Sequence, residues 1–215
     1  MQIGKFQRCK DAKLKGKFVV FEGPHASGKT VQARMLCEHL QNTGVDAHYT
    51  KEPYSDDLIP LISKYSKGDL IHSPVLMHLL AADRYIHVSD IISWIQRGMF
   101  VICDRYVLSS LVYQQMQGIP LNIVKETNSF AINPDLMFFV NVPLKERLAR
   151  VKRTHKEPPT FFLRDDKLVE EQELYQRLTN SWDEGRCGKI AIINGHEDIN
   201  KVHRTVVNLV LDKLT

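Results

Sequence analysis

The stretch KFVVFEGPHASGKTVQARML, residues 17–36, joins a short apolar run to a helical pattern through a glycine-framed loop that ends Gly-Lys-Thr. Gly23, Gly28, Lys29 and Thr30 satisfy the spacing G-x-x-x-x-G-K-[ST] at every fixed position, and Phe18 to Phe21 reads as a buried strand ahead of it. Strand, tight loop and helix form the order in which a backbone can cradle phosphates. Glycine lets the amides approach crowded oxygens, and the helix N-terminus adds its positive end. Gly23, Pro24, His25, Ala26, Ser27, Gly28, Lys29 and Thr30 are therefore the candidate phosphate-binding residues. Lys29 reads as a point charge for the β- and γ-phosphates, and the Thr30 hydroxyl as a ligand for Mg²⁺.

Beyond the loop, strand-like runs alternate with longer helical patterns. Val31, Met35, Leu36 and Leu40 space a helix closed by Gly44; a strand follows at Val45 to Lys51 and stops at Glu52-Pro53. Helices are expected over Asp56–Ser66 and Ser73–Gln96. Phe100 to Cys103, Leu136 to Val142 and Lys189 to Ile193 are short apolar runs of the kind parallel sheets bury, and a helix through Val202, Val206, Leu209, Val210 and Leu214 closes the chain. This pattern predicts an α/β fold with about five parallel strands flanked by helices, its ligands off the strands' carboxyl ends.

Composition narrows the class. With 215 residues and 43% hydrophobic content, the chain suits one substantial domain, taken as 17–215. A net charge of +4 lacks the positive excess of a dedicated nucleic-acid binder, and the aromatic residues are not interleaved with the basic ones as a stacking surface needs. No nucleic-acid partner is expected. No run approaches the roughly 18 apolar residues of a membrane span, so no membrane is expected either. Cys9, Cys37, Cys103 and Cys187 show no metal-ligand spacing and point to a reducing, cytoplasmic setting, with nucleus and organelles left open. Residues 1–16 form a basic extension without an apolar core, read as a solvated or partly disordered leader, with targeting or anion binding as the alternative.

Several charged residues fall where a phosphate site needs them. Asp104-Arg105-Tyr106 ends an expected central strand, where a carboxylate serves Mg²⁺ and an arginine can face phosphates; a surface ion pair is the plainer reading. Lys51 ends the second strand, while Arg84 lies inside a long helix and by itself reads more readily as a paired surface arginine. The densest basic run, with Arg147, Arg150, Lys152, Arg153, His155 and Lys156, is broken by Pro158-Pro159 before an acidic helix. It suggests a lid over about 150–166, against the alternative of two solvated charged helices.

FEGPHASGKT, TKEP, AADRY, CDRY, SSLVYQ and NPDLMFFVNVP, in that order, resemble the motifs of the thymidylate kinases, a branch of the P-loop nucleoside monophosphate kinases. The resemblance covers the chain from about Gly16 onward. It implies the fold of that group with its lid, ATP and Mg²⁺ as cofactors, transfer of a phosphoryl group from ATP to dTMP, and a homodimer packed through helices flanking the sheet. Carried over by residue, it implies that Lys29 and Arg105 neutralise the transferring group, and that Arg150 and Arg153, with Arg164 in reserve, add lid charge. Thr30 would serve the metal, and Asp104 would position the metal or the acceptor phosphate. Lys51 and Arg84 would grip the acceptor phosphate, and Ser109, Tyr113 and Gln114 would line the deoxynucleoside pocket.

Three departures bear on specificity. His25 stands where the family usually has an acidic residue facing the sugar 3′-hydroxyl, Leu80 where a phenylalanine stacks on thymine, and Lys51 where an arginine supplies a two-pronged grip. Other acceptors such as dUMP or dGMP thus remain alternatives. So do a deoxynucleoside kinase, for which Glu52 would be the base, and a nucleotide-binding module without catalysis.

Overall fold

The computed structural model describes residues 16–66, 72–154 and 164–214. The basic extension expected over 1–16 lies, apart from Gly16, outside the described residues, as does the middle of the expected lid, 155–163. Five strands form one parallel sheet in the order β2-β3-β1-β4-β5: β1 Lys17–Glu22, β2 Ala47–Lys51, β3 Phe100–Asp104, β4 Leu136–Asn141 and β5 Lys189–Asn194. The second strand starts two residues later than its apolar pattern suggests.

Between the strands run α1 Lys29–Asn42, α2 Ile59–Ser66, α3 Ser73–Gln96, α4 Val107–Met116, α5 Leu121–Thr127, α6 Leu144–Thr154, α7 Asp165–Asn180, α8 Glu184–Cys187 and α9 Ile199–Leu214. The pleat of the sheet sends alternate residues to two cores. Val19, Phe21, Ile102 and Phe138 pack beneath α1 and α9, whereas Phe18, Val20, Val101 and Phe139 pack against α3, α4 and α7. Burial on both faces explains the continuous apolar runs of the strands.

The packed faces of two helices follow from the sheet they cover. The buried stripe of α1 is Ala33, Leu36, Cys37 and Leu40, while Val31, counted among its apolar positions, is 43% exposed. That stripe follows the i, i+3, i+4, i+7 spacing and leaves Val31 at the mouth of the phosphate loop. In α3, Leu76, Ile91 and Ile95 are core, but Ile86 is exposed with Val75 and Tyr85. None of the described helices is long and apolar enough to cross a membrane.

Candidate active site

The loop between β1 and α1 folds as its glycines require. A Cβ on Gly23 would sit 2.7 Å from the Val140 carbonyl oxygen, so only glycine lets β1 turn this close to β4. Gly28 turns into α1 at φ +93°, a left-handed conformation that side chains disfavour. Lys29 is 6% exposed, and its Nζ donates to the Pro24 carbonyl at 3.4 Å. Burial first, then the neighbouring Arg105 guanidinium, pull its ammonium down to about 7. The Ser27 hydroxyl is buried without a partner.

β3 runs beside β1 with Asp104 in register with Phe21, so Asp104 and Arg105 emerge next to the loop. Thr30 Oγ1 donates to Asp104 Oδ2 at 2.5 Å, while Asp104 Oδ1 is buried without a protein partner. A hydroxyl, a carboxylate and an orphaned acceptor oxygen suit a hard cation that draws its other ligands from phosphate and water. Consistently, no group of three or more His, Cys, Asp or Glu side chains among the described residues forms a dedicated metal cage. Mg²⁺ fits these residues.

Arg105 adopts φ +72°, uncommon for a side-chain-bearing residue, and its N–H donates to the Phe21 carbonyl at 2.9 Å. Its Nη1 donates to Ser109 Oγ at 3.2 Å and to Tyr113 OH at 3.0 Å, which fixes the guanidinium against α4. Glu22, the glutamate before the loop, caps α4 from a distance: its Oε1 accepts from the Tyr106 and Ser109 N–H groups and its Oε2 from Ser109 Oγ. Burial raises the Glu22 pKa despite these bonds.

Of the residues expected to take the acceptor, Lys51 is exposed at the end of β2, in register with Asp104. Ser109, Tyr113 and Gln114 share α4, and Gln114 is 1% exposed with neither amide atom partnered. Leu80 is half-buried on α3. Arg84 sits beneath this edge, its guanidinium committed to Glu52 through Nε and Nη2, to Asn128 Oδ1 and to the Tyr106 carbonyl. His87 Nδ1 also meets Glu52 at 3.2 Å. Burial would raise the Glu52 pKa, but Arg84 and His87 hold it below its usual range. Contact between Arg84 and an acceptor would require exchange of one of these partners.

Because Glu52 and Arg84 are both buried, removing one strands the other's charge. Arg84→Met is expected to destabilise the fold by about 3–5 kcal/mol, read as a melting temperature lower by roughly 10 °C. The double variant Glu52→Leu/Arg84→Met should recover much of that loss. A single variant that melts with the parent would show that the ion pair is not a structural element.

A cavity of about 480 Å³ opens against the loop, lined by Ala26, Gly28, Val31, Arg150, Arg153 and Gly195 among others. Arg150 Nη1 donates to the Ala26 carbonyl at 3.2 Å and Nη2 to that of Gly195 at 3.1 Å, so α6 brings its charge to the loop's mouth. Arg153 is an exposed member of the lining, and Arg164 pairs with Asp166 at 3.1 Å, away from the cavity residues. Two site residues, Arg147 and Glu171, carry a signal the sequence reading passed over. Arg147 interrupts the apolar stripe Leu144, Leu148, Val151 at the i+3 position, and Glu171 does the same between Leu168 and Tyr175. A charge inside an apolar stripe marks a buried polar partnership.

A parallel sheet with this loop after β1, an aspartate-arginine pair at the end of β3 and an arginine-bearing helix over the cavity beside the loop defines a P-loop phosphotransferase. The family model described as "Thymidylate kinase" matches residues 21–206. Relatives named "Probable thymidylate kinase" include one from Pyrococcus horikoshii, 37% identical over 212 residues that cover 94% of this chain and 98% of the relative. Others come from Methanococcus aeolicus, at 35% identity over 92% of this chain and 97% of the relative, and Staphylothermus marinus, at 33% over 93% and 96%. The chain belongs to the thymidylate kinase family.

Proposed function

We infer that the protein transfers the γ-phosphoryl group of ATP to the phosphate of dTMP, giving ADP and dTDP, with 17–215 acting as one domain and 150–166 as its lid. The observation that carries this reading is the convergence of Lys29, Thr30, Asp104 and Arg105 at the adjoining carboxyl ends of β1 and β3. As the bond between Pγ and the ADP oxygen breaks, a bond from a dTMP phosphate oxygen to Pγ forms. The acceptor oxygen is already anionic, so the step needs no base to remove a proton. Its difficulty is electrostatic, because two polyanions must meet in line.

The side chains answer that difficulty. Lys29 and Arg105 repel each other until phosphate charge arrives between the loop and α4, which favours binding of a polyanion. Thr30 and Asp104 would hold Mg²⁺, which supplies charge neutralisation of the donor phosphates when bound. Arg150, and Arg153 on the same helix, add lid charge from the donor side. Lys51 and Arg84 would take the acceptor phosphate, Leu80 and Gln114 the base, and His25, Ser109 and Tyr113 the sugar. Gln114 supports this assignment, since a buried amide without partners suits a hydrogen-bonding nucleobase.

A hydroxyl acceptor would require a carboxylate base, and Glu52, the candidate, is committed to Arg84 and His87. That observation disfavours a deoxynucleoside kinase. A homodimer through the exposed face of α3 at Val75, Tyr85 and Ile86, in the cytoplasm, completes the reading; light scattering should return the mass of two chains.

The test is initial-rate kinetics with ATP and Mg²⁺ against dTMP, dUMP, dGMP, dCMP and thymidine separately. The expected result is a kcat/KM for dTMP at least about tenfold above any other, the discrimination a well-shaped base pocket supplies. Better use of another monophosphate would show that Leu80 and His25 have re-aimed the site. Transfer to thymidine alone would overturn the monophosphate kinase, and ATP binding without any transfer would leave a nucleotide-binding module.

A further inference from the structure

Arg147 and Glu171 form an ion pair with both side chains fully buried, one on each of the helices that flank the lid. A buried ion pair is a poor way to hold two helices together, since apolar residues of similar bulk pack as well without the cost of desolvating two charges. Both residues occupy stripe positions where a leucine would pack. What distinguishes the pair is where its remaining contacts go.

They converge on one residue of the phosphate loop. The His25 N–H donates to Glu171 Oε1 at 3.0 Å, the His25 ring Nδ1 lies 2.8 Å from the same oxygen, and Arg147 Nε donates to the His25 carbonyl at 2.9 Å. His25 is thus held at its amide, its carbonyl and its ring. Tyr113 OH also donates to Glu171 Oε1, at 2.5 Å, and accepts from Arg105. A single carboxylate oxygen therefore joins the loop to the α4 side of the site. Gln172 and the Leu168 carbonyl accept from Arg147 Nη1, anchoring the pair to α7.

The pair also selects the form of the histidine. Burial would raise the Glu171 pKa, but the hydrogen bond and charge of His25, and then the adjacent Arg147 guanidinium, hold it down; the fully buried Arg147 keeps the carboxylate ionised, so it can only accept. Tyr113 OH also lies 3.1 Å from His25 Nδ1, but the shorter contact of that nitrogen, 2.8 Å, is to an oxygen that can only accept, which assigns the ring hydrogen to Nδ1 and the tyrosine hydrogen to Glu171. Burial also lowers the histidine's own pKa, which favours the neutral ring and leaves a lone pair on Nε2. No described residue bonds that Nε2.

We propose that Arg147 and Glu171 are positioning residues for phosphoryl transfer: together they fix the backbone of the phosphate loop at His25, hold the Nδ1–H tautomer of its ring, and tie the loop to Tyr113 and Arg105. They touch no phosphate themselves and act through His25 and Tyr113. The proposal rests on the kinase reading above for its kinetic consequences.

The double variant Arg147→Met/Glu171→Leu replaces the ion pair by apolar residues of similar size, which separates packing from positioning. The expected result is a melting temperature near the parent's, a kcat for dTMP lower by about 10- to 100-fold, and a smaller change in KM for ATP. In ¹⁵N spectra of labelled histidine, the bare Nε2 of His25 should give way to a mixture of tautomers. A kcat within threefold of the parent, or an unchanged His25 tautomer, would overturn the proposal. Should the double variant not fold, Glu171→Gln, which keeps the shape and removes the charge, carries the kcat and tautomer readouts with the same expected directions, at a lower melting temperature because Arg147 is left buried without its counter-charge. The histidine spectra need no turnover, so a parent enzyme inactive on dTMP would refute the kinase reading alone and leave the pair to be judged by the tautomer.

Discussion

Lys29→Met is expected to lower kcat for dTMP at least about 10³-fold while leaving the ligand-free melting temperature equal to the parent's or higher. The two effects have separate origins. In the ligand-free protein the Lys29 ammonium is almost fully buried, and burial with Arg105 nearby pulls its pKa down to about 7. Near neutral pH the folded chain therefore holds this group against its preference for water, and a methionine stem of similar length removes that penalty. On the proposed reading, bound polyphosphate would reverse the balance by placing anionic oxygens around the ammonium. Steady-state kinetics and thermal melting with and without ATP and Mg²⁺ read both effects. A turnover within tenfold of the parent would remove Lys29 from the transfer step.

Arg105→Ala should cost about as much, roughly 10³-fold in kcat/KM, and Arg105→Lys about 10²-fold. Arg105 is held on Ser109 Oγ and Tyr113 OH by a single nitrogen, which leaves the rest of the planar fork directed by those two anchors. A lysine keeps the charge and loses that fixed plane. The strain at φ +72° argues in the same direction, because an ordinary strand end has no need of a left-handed arginine. A lysine variant near the parent's activity, with alanine low, would show that the fixed plane matters little here; a lysine variant no better than alanine would show that charge without the fork contributes nothing. Activity of both near the parent's would show that Arg105 does not face the transferring group.

How much of this was readable in advance depends on the range of the interaction. The loop Gly23–Thr30 and the strand before it follow from neighbours in the chain, and so do the ends of α3, where Pro74 stands in the first turn and Gly98 follows the last. Val31 was misplaced even within a local pattern, since spacing alone left two faces of α1 to choose between until the sheet and α9 selected one. Arg84 read as a surface arginine, solvated or paired, or as a ligand-gripping cation; its burial and its partner were not legible because Glu52 lies 32 residues away.

Two features could not be read from spacing at all. Glu22 caps α4 across 84 residues, and Glu171 meets His25 across 146. The sequence by itself determined the phosphate loop and the five strands, and it nominated the cations near them, because these depend on residue type and short-range periodicity. Only the tertiary structure decided which charges are spent on each other and which are left for a ligand. A charge's role follows from the partner it finds once water is excluded, and that partner comes from wherever the fold brings the chain together.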